Sequence, residues 1–241
     1  AALRFHFSEP GDGGLAAAER ALSIDANLAE AHAAIARVLT SNSKYDEAQR
    51  EIETALRLDP ESFEVNTAAA RLNYAQGRYE DATRYYEKAA SLMESDFSSV
   101  AMLIGCYRSL GNQEGLRHAA QRTLARAEKI AAQEPDNGMA MGYVVMSLIA
   151  LGQGDRAREL AKRAMLLDPD NLTMRYNFAC GFVELKDTET ALNLLGAVLE
   201  KDTLETVNWA KVDPDLDALR DHPRFKAMIE GAEKRLATAA G

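Results

Sequence analysis

The stretch TALRLDPES (Thr54–Ser62) returns 109 residues later as RAMLLDPDN (Arg163–Asn171), with proline at the same place. Between them lies Pro135, and the separations Pro60 to Pro135 to Pro169 are 75 and 34 residues. A separation of 75 is two periods of 34 with seven residues added, so all three prolines fit one 34-residue period that carries a single insertion of two helical turns. A chain built on such a period cannot bury the apolar face of one unit alone. It must stack neighbouring units, which restricts it to a repeat array.

With proline set at place 32, repeats begin at Ala29, Phe63, Phe97, Gly138 and Leu172. Ala36, Ala70 and Ala179 then share place 8, with Val145 in the fourth repeat. Ala48, Ala82, Ala157 and Ala191 share place 20, and Ala55, Ala89 and Ala164 share place 27. Small residues at matched places let two antiparallel helices cross closely, because no side chain holds the backbones apart. Gly77, Gly111 and Gly152 occupy place 15, where one helix ends and a left-handed residue is wanted. Apolar residues such as Ile35 and Leu39, then Ile52, Ala55 and Leu56, keep helical spacing. The third repeat departs from the pattern, with Ile104 and Leu116 at the small places, which predicts a hairpin pushed apart. Lys186 replaces the turn glycine of the fifth repeat, and Glu94 and Thr203 replace proline.

These residues resemble the tetratricopeptide repeat over positions 29–205. The resemblance implies an all-α, right-handed α-α superhelix, a solenoid of antiparallel helix pairs. Its organisation reads as a partial repeat over 1–28, repeats over 29–62 and 63–96, and a long repeat over 97–137 with an extended second helix. Repeats over 138–171 and 172–205 follow, and a C-terminal cap spans 206–241. In the cap, Pro223 suits the first turn of a last helix, Phe225, Ile229, Ala232 and Leu236 share one face, and Trp209 is expected beneath that helix. Together with RYNFACGFVELKD (175–187) and the long third repeat, the tail is similar to the C-terminal repeat region of bacterial class III adenylate/guanylate cyclases and related multidomain signalling proteins. There such repeats follow a catalytic or DNA-binding domain and are thought to mediate interaction or regulation.

Chemistry-bearing residues form no site by spacing. Asp213, Asp215 and Asp217 alternate like the start of a calcium loop, but Ala218 stands where its glycine belongs and Arg224 where its last glutamate belongs, so the expected reading is a turn with capping aspartates. His6, His32, His118 and His222 lack metal-ligand spacing, and His32 at place 4 is expected to pack against a neighbouring helix. Cys106 and Cys180 make no CxxC pair and no disulfide framework, and Cys180 shows no base partner that would make it a nucleophile. A glycine loop for phosphate and a serine elbow are both missing. The expectation is a non-catalytic chain without cofactor or metal. Asp and Glu outnumber Lys and Arg by 37 to 28, net −9, without a basic block, which argues against nucleic acid as a partner. No apolar run nears the ~18 residues of a membrane span. The thiol usage fits a reducing compartment, expected to be the bacterial cytoplasm, and from the start at Ala1 the expectation is a piece processed or excised from a longer chain.

Function is therefore expected on the surface. The resemblance implies that the first helix of each repeat lines a concave groove through places 2, 5, 9 and 12. Arg37, Arg71, Tyr74 and Arg108 would occupy its amino-terminal half, and Met146, Ile149, Tyr176 and Val183 its carboxy-terminal half. A peptide with acidic residues at one end and apolar anchors at the other matches such a groove. Ala33 and Arg37 stand where the chaperone-binding version of the family would carry the Lys and Asn of its carboxylate clamp, so that clamp is not expected. Two readings follow: a module binding a protein, a peptide or another domain of the same polypeptide, or a self-association element that pairs attached catalytic domains as a homodimer.

Overall fold

The computed structural model describes residues 14–134 and 137–239, and all its regular elements are helical. Readings that fall on 1–13, and on Pro135 itself, lie outside the described residues. The helices are α1 (Leu15–Ile24), α2 (Ala29–Ser41), α3 (Tyr45–Leu58), α4 (Phe63–Ala75), α5 (Tyr79–Leu92), α6 (Ser98–Ser109) and α7 (Gln113–Gln133). They continue with α8 (Gly138–Ala150), α9 (Gly154–Leu167), α10 (Leu172–Glu184), α11 (Thr188–Leu199) and α12 (Leu204–Val212). A 3₁₀ turn (Pro214–Leu219) and α13 (Pro223–Ala239) close the chain. Most successive helices pair, and among the first helices α2 packs on α4, α6 on α8 and α8 on α10 in an all-α superhelix. No helix among the described residues is long and apolar enough to cross a membrane.

The recurring Asp-Pro segments work as punctuation. Asp59 and Asp168 are the C-caps of α3 and α9, and proline next in line cannot continue a helix. Two residues on, Ser62 and Asn171 cap the following helix: Ser62 Oγ accepts from Val65 N at 3.4 Å and Asn171 Oδ1 from Met174 N at 2.9 Å. Asn137 does the same for α8 through Ala140 N at 3.0 Å. Gly138 lies so close to Asn171 that a Cβ there would stand 2.1 Å from Asn171 Nδ2, so the absence of a side chain makes room for the next repeat's cap.

The small places are the closest-packed points. Ala36, Ala48, Ala70, Ala82, Val145, Ala157, Ala179 and Ala191 are all fully buried. In the third repeat Ile104 and Leu116 are buried in one core with Ala119 and Ala120, and the close approach moves to Gly115, where a Cβ would meet the Tyr107 ring at 2.7 Å. The longer side chains are thus absorbed by a glycine one residue earlier in α7, a helix of 21 residues.

Place 15 is left-handed in every repeat, whatever residue occupies it. Gly77, Gly111 and Gly152 have φ of 71°, 68° and 77°, and Ser43 and Lys186 adopt 60° and 58°. A side chain in that region costs about 1–2 kcal/mol. The hairpin enforces the geometry through the same bond each time: the residue after place 15 donates to a carbonyl five residues back, as in Lys44 N to Leu39 O and Asp187 N to Phe182 O. Replacing Ser43 or Lys186 by glycine relieves the strain but adds unfolded-state entropy, so each is expected to raise stability by about 0.5–1 kcal/mol in urea titrations. Gly77→Ala is expected to lose a similar amount.

Candidate interaction groove

Sequence periodicity places Arg37, Arg71, Tyr74 and Arg108 on the first helices of the first three repeats, and the structure shows what faces them. It is the chain's own α12, which leaves the 34-residue period and packs against α2 at the far end of the array. Trp209 of α12 stacks on Tyr74 of α4, with ring centroids 5.4 Å apart and planes 16° apart. The Arg71 guanidinium carbon lies 4.6 Å from the centroid of the same indole. Arg71 Nη2 also reaches Glu205 Oε1 at 3.6 Å, one helical turn before Trp209 on the same face of α12. Asn208 Nδ2 donates to Ser41 O at 2.7 Å, which ties α12 to the end of α2. Burial lowers the pKa of half-buried Arg37, with the Glu205 charge acting against it and Arg71 adding to it. Trp209 therefore sits across the groove on Tyr74 as well as packing on the carboxy-terminal core that includes residues of the last helix.

The segment after α12 completes the contact. Arg108 of α6 forms ion pairs with Asp215 of the 3₁₀ turn and with Glu184 at the end of α10. Buried Asp213 accepts from Tyr176 Oη at 2.8 Å and from Asp215 N at 3.0 Å, as the N-cap of that turn. Cys180 Sγ and the two carboxylates lie within 4.8 Å of one another. The oxygens of Asp213 and Asp215 already take up the Tyr176 and Arg108 donors, so the cluster functions as a hydrogen-bonded clasp between α10, α6 and the turn. Burial pushes the Asp213 carboxyl up to about 7, helped by the Asp215 charge and opposed by the Tyr176 bond, the Asp215 amide and Arg220. Burial likewise pushes the Cys180 thiol well above its usual range, with the Asp213 and Asp215 charges adding to it, which disfavours the thiolate.

Between α12 and the first helices of the second to fifth repeats a cavity of about 110 Å³ remains. Arg71, Tyr74, Met146 and Tyr176 of the expected groove line it, and Arg108 grips Asp215 at its edge. Ile149 and Val183 do not line it: Ile149 is buried against α10, where its Cδ1 would be 2.5 Å from a Cβ at Gly181, and half-buried Val183 packs on the carboxy-terminal core. Met102, Met139, Tyr143 and Asn177 line the cavity and escaped the sequence reading, as did Glu205 and Thr206, while Trp209 was read as part of the cap and not of the groove. Asn177 Nδ2 is buried without an acceptor among the described residues. The overlooked signal was the Glu205/Trp209 pair at i, i+4, which complements Arg71 and Tyr74 at i, i+3. His32, away from the groove, bonds Glu51 at 2.6 Å and the Ala26 carbonyl at 3.1 Å, a packing role between helices.

Residues 28–96 match the family described as the tetratricopeptide repeat. The fold is a tetratricopeptide-repeat solenoid. No curated protein matches the sequence. Among solved structures, the human IFIT1 dimer with m7Gppp-AAAA is similar at a TM-score of 0.57 and 16% identity, with 94% of this chain and 58% of that chain covered. The Cut9–Hcn1 hetero-tetramer of APC/C is similar at 0.56 and 16%, covering 92% and 42%, and yeast Tom70 at 0.50 and 16%, covering 92% and 47%. This chain thus spans about half the length of each of these neighbours, and the likeness is one of fold. The arginine and aromatic wall described above is the part of this solenoid that meets α12 and the turn after it.

Two measurements probe the contact. A Cβ at Gly105 would stand 2.7 Å from Tyr74 Oη, so Gly105→Ala displaces the ring on which Trp209 rests. Trp209 is the single tryptophan, and its emission is expected to shift to the red while circular dichroism stays helical. For Asp213 the folded-state pKa is raised, so the stability it contributes is present below about pH 4 and is lost as pH rises through about 7. Relative to the wild type, Asp213→Asn is expected to gain stability steadily between about pH 4 and pH 8 in urea midpoints measured pH by pH.

Proposed function

We propose that this protein is a non-catalytic protein-interaction module, a regulatory or scaffolding region of a bacterial cytoplasmic signalling protein. It binds a peptide or a neighbouring domain of the same polypeptide in its concave groove. The observation that carries this reading is α12 itself. The groove accepts a helical segment by pairing Arg71 with a carboxylate, stacking Tyr74 on an indole and holding an acidic turn with Arg108. Those are the contacts an acidic peptide with an aromatic anchor makes, here formed within one chain. The similarity of the tail to the repeat regions that follow cyclase catalytic domains supports a signalling context. The raised thiol pKa of Cys180 and the engaged carboxylates beside it favour binding over chemistry.

The test compares the wild-type chain with Arg37→Glu/Arg71→Glu, matched in helicity by circular dichroism, for proteins captured from bacterial lysate. Both substitutions face Glu205 and so loosen α12 as well as reversing the wall's charge. A partner held by the wild type and lost by the variant despite its opened groove is the expected result. Capture of the same proteins by both, or of none by either, overturns the groove reading and leaves self-association, read directly as a concentration-dependent mass in light scattering.

A further inference from the structure

The contact between α12 and the groove is built unlike the rest of the solenoid. Elsewhere neighbouring helices meet through fully buried alanines and leucines with adjacent repeats in register. Here one short helix meets the groove through one stack, one guanidinium over a ring, an ion pair at 3.6 Å and one hydrogen bond to a backbone carbonyl, while its Val207 and Ala210 are fully buried in the carboxy-terminal core and Lys211 pairs with Glu233 of α13. Beside it lies the cavity of about 110 Å³, where Thr206 faces Met102, Met139, Tyr143 and Met146. Three methionines and a tyrosine around a short hydroxyl side chain leave dispersion contacts unmade, since voids forfeit the attraction of their lining atoms. Methionine walls also adapt to different occupants. A segment that fits well at its polar end and poorly at its apolar end is suited to being exchanged.

Resting on the groove-binding reading above, we propose that α12 is a resident, displaceable occupant, and that the partner which replaces it is a helical segment carrying a carboxylate and an aromatic at i and i+4, like Glu205 and Trp209, with a long apolar side chain at i+1 in place of Thr206. Charge complementarity fixes the polar half: Arg71, with Arg37 beside it, faces the carboxylate, and Arg108 faces an acidic turn that follows the helix. The cavity fixes the apolar half. A methionine at i+1 reaches the space that Thr206 leaves, where its flexible thioether chain can fill the gap among Met102, Met139, Tyr143 and Met146. The partner thereby gains contacts that α12 does not make, which is what exchange against a tethered competitor requires.

The test uses fluorescein-labelled peptides spanning 203–217, one with the native sequence and one with Thr206→Met, followed by anisotropy on the full chain. The chain is taken as wild type, as Trp209→Ala to weaken the resident helix, and as Ser41→Cys/Asn208→Cys, which locks α12 to α2 when oxidised and frees it when reduced. The native cysteines, Cys106 and Cys180, are both buried and stay out of the lock. The Thr206→Met peptide is expected to bind Trp209→Ala about tenfold more tightly than wild type, because an occupied groove lowers apparent affinity by its open fraction. It should also bind about tenfold more tightly than the native peptide, the worth of an added apolar contact in a pocket. Oxidation of the lock should abolish uptake and a thiol reductant restore it. Equal binding to oxidised and reduced chains, or equal binding of the two peptides, overturns the proposal. If no peptide binds Trp209→Ala of intact helicity while Arg37→Glu/Arg71→Glu still loses its captured partner, the groove reading survives and the displacement proposal fails.

Discussion

Close crossing of paired helices at alanine is the constraint from which the other features follow. Where places 8 and 20 are both small, two backbones approach until the side chains of each helix fill the grooves of the other. Ala36 with Ala48, Ala70 with Ala82, and Ala179 with Ala191 are such pairs, all without exposed surface. Each repeat touches mainly its neighbours, so the geometry of one hairpin propagates into the curvature of the whole array. That curvature brings Arg71 and Tyr74 on α4 opposite Arg108 on α6 and Tyr176 on α10, residues that no local pattern would join. The third repeat shows the constraint under substitution. Ile104 and Leu116 are accommodated because Gly115 and Ala119 take over the close approach, and seven extra residues lengthen α7 along its own axis without turning the stack.

Solenoids of this kind are quasi-one-dimensional, and α12 breaks that rule. Trp209 packs on the middle core as well as the carboxy-terminal one, and Asn208 reaches Ser41 of the first repeat. The link is mixed in character. Stacking and the guanidinium over the ring are worth about 0.5–2 kcal/mol each, while the partly exposed Arg71–Glu205 pair is worth no more than about 1 kcal/mol after screening. Asp213 works against the clasp it belongs to, since burial and Asp215 both disfavour its charge. The segment thus meets the groove through rings and charges, while Val207 and Ala210 seat it in the carboxy-terminal core.

The period, the small places and the turn positions were legible because they are local and repeated five times in phase. Ser43 and Lys186 were not readable as left-handed from residue type, since only the recurring hairpin bond forces them there. The wall of the groove was legible for Arg71, Tyr74, Met146 and Tyr176, whose places repeat with the period. Ile149 shows the limit of that reading: Gly181 on α10 opens a gap between helices, and the side chain turns into the gap instead of lining the cavity. The occupant was invisible for a different reason. Tyr74 and Trp209 stand 135 positions apart, and a contact at that distance leaves no periodic trace in a tail that has already left the repeat.

Charge adds a last step. The chain carries a net −9, yet its concave wall collects Arg37, Arg71 and Arg108. An acidic segment arriving from solution is repelled by the molecule as a whole and attracted only within about 8–10 Å of the wall, one Debye length at ordinary ionic strength. A segment on the same polypeptide escapes that penalty, because its tether holds it inside the short-range well from the outset. This explains how α12 can hold the groove through few contacts, and why whatever takes its place must make up the difference in contact and not in charge. The apolar space beside Thr206 is where that contact is available.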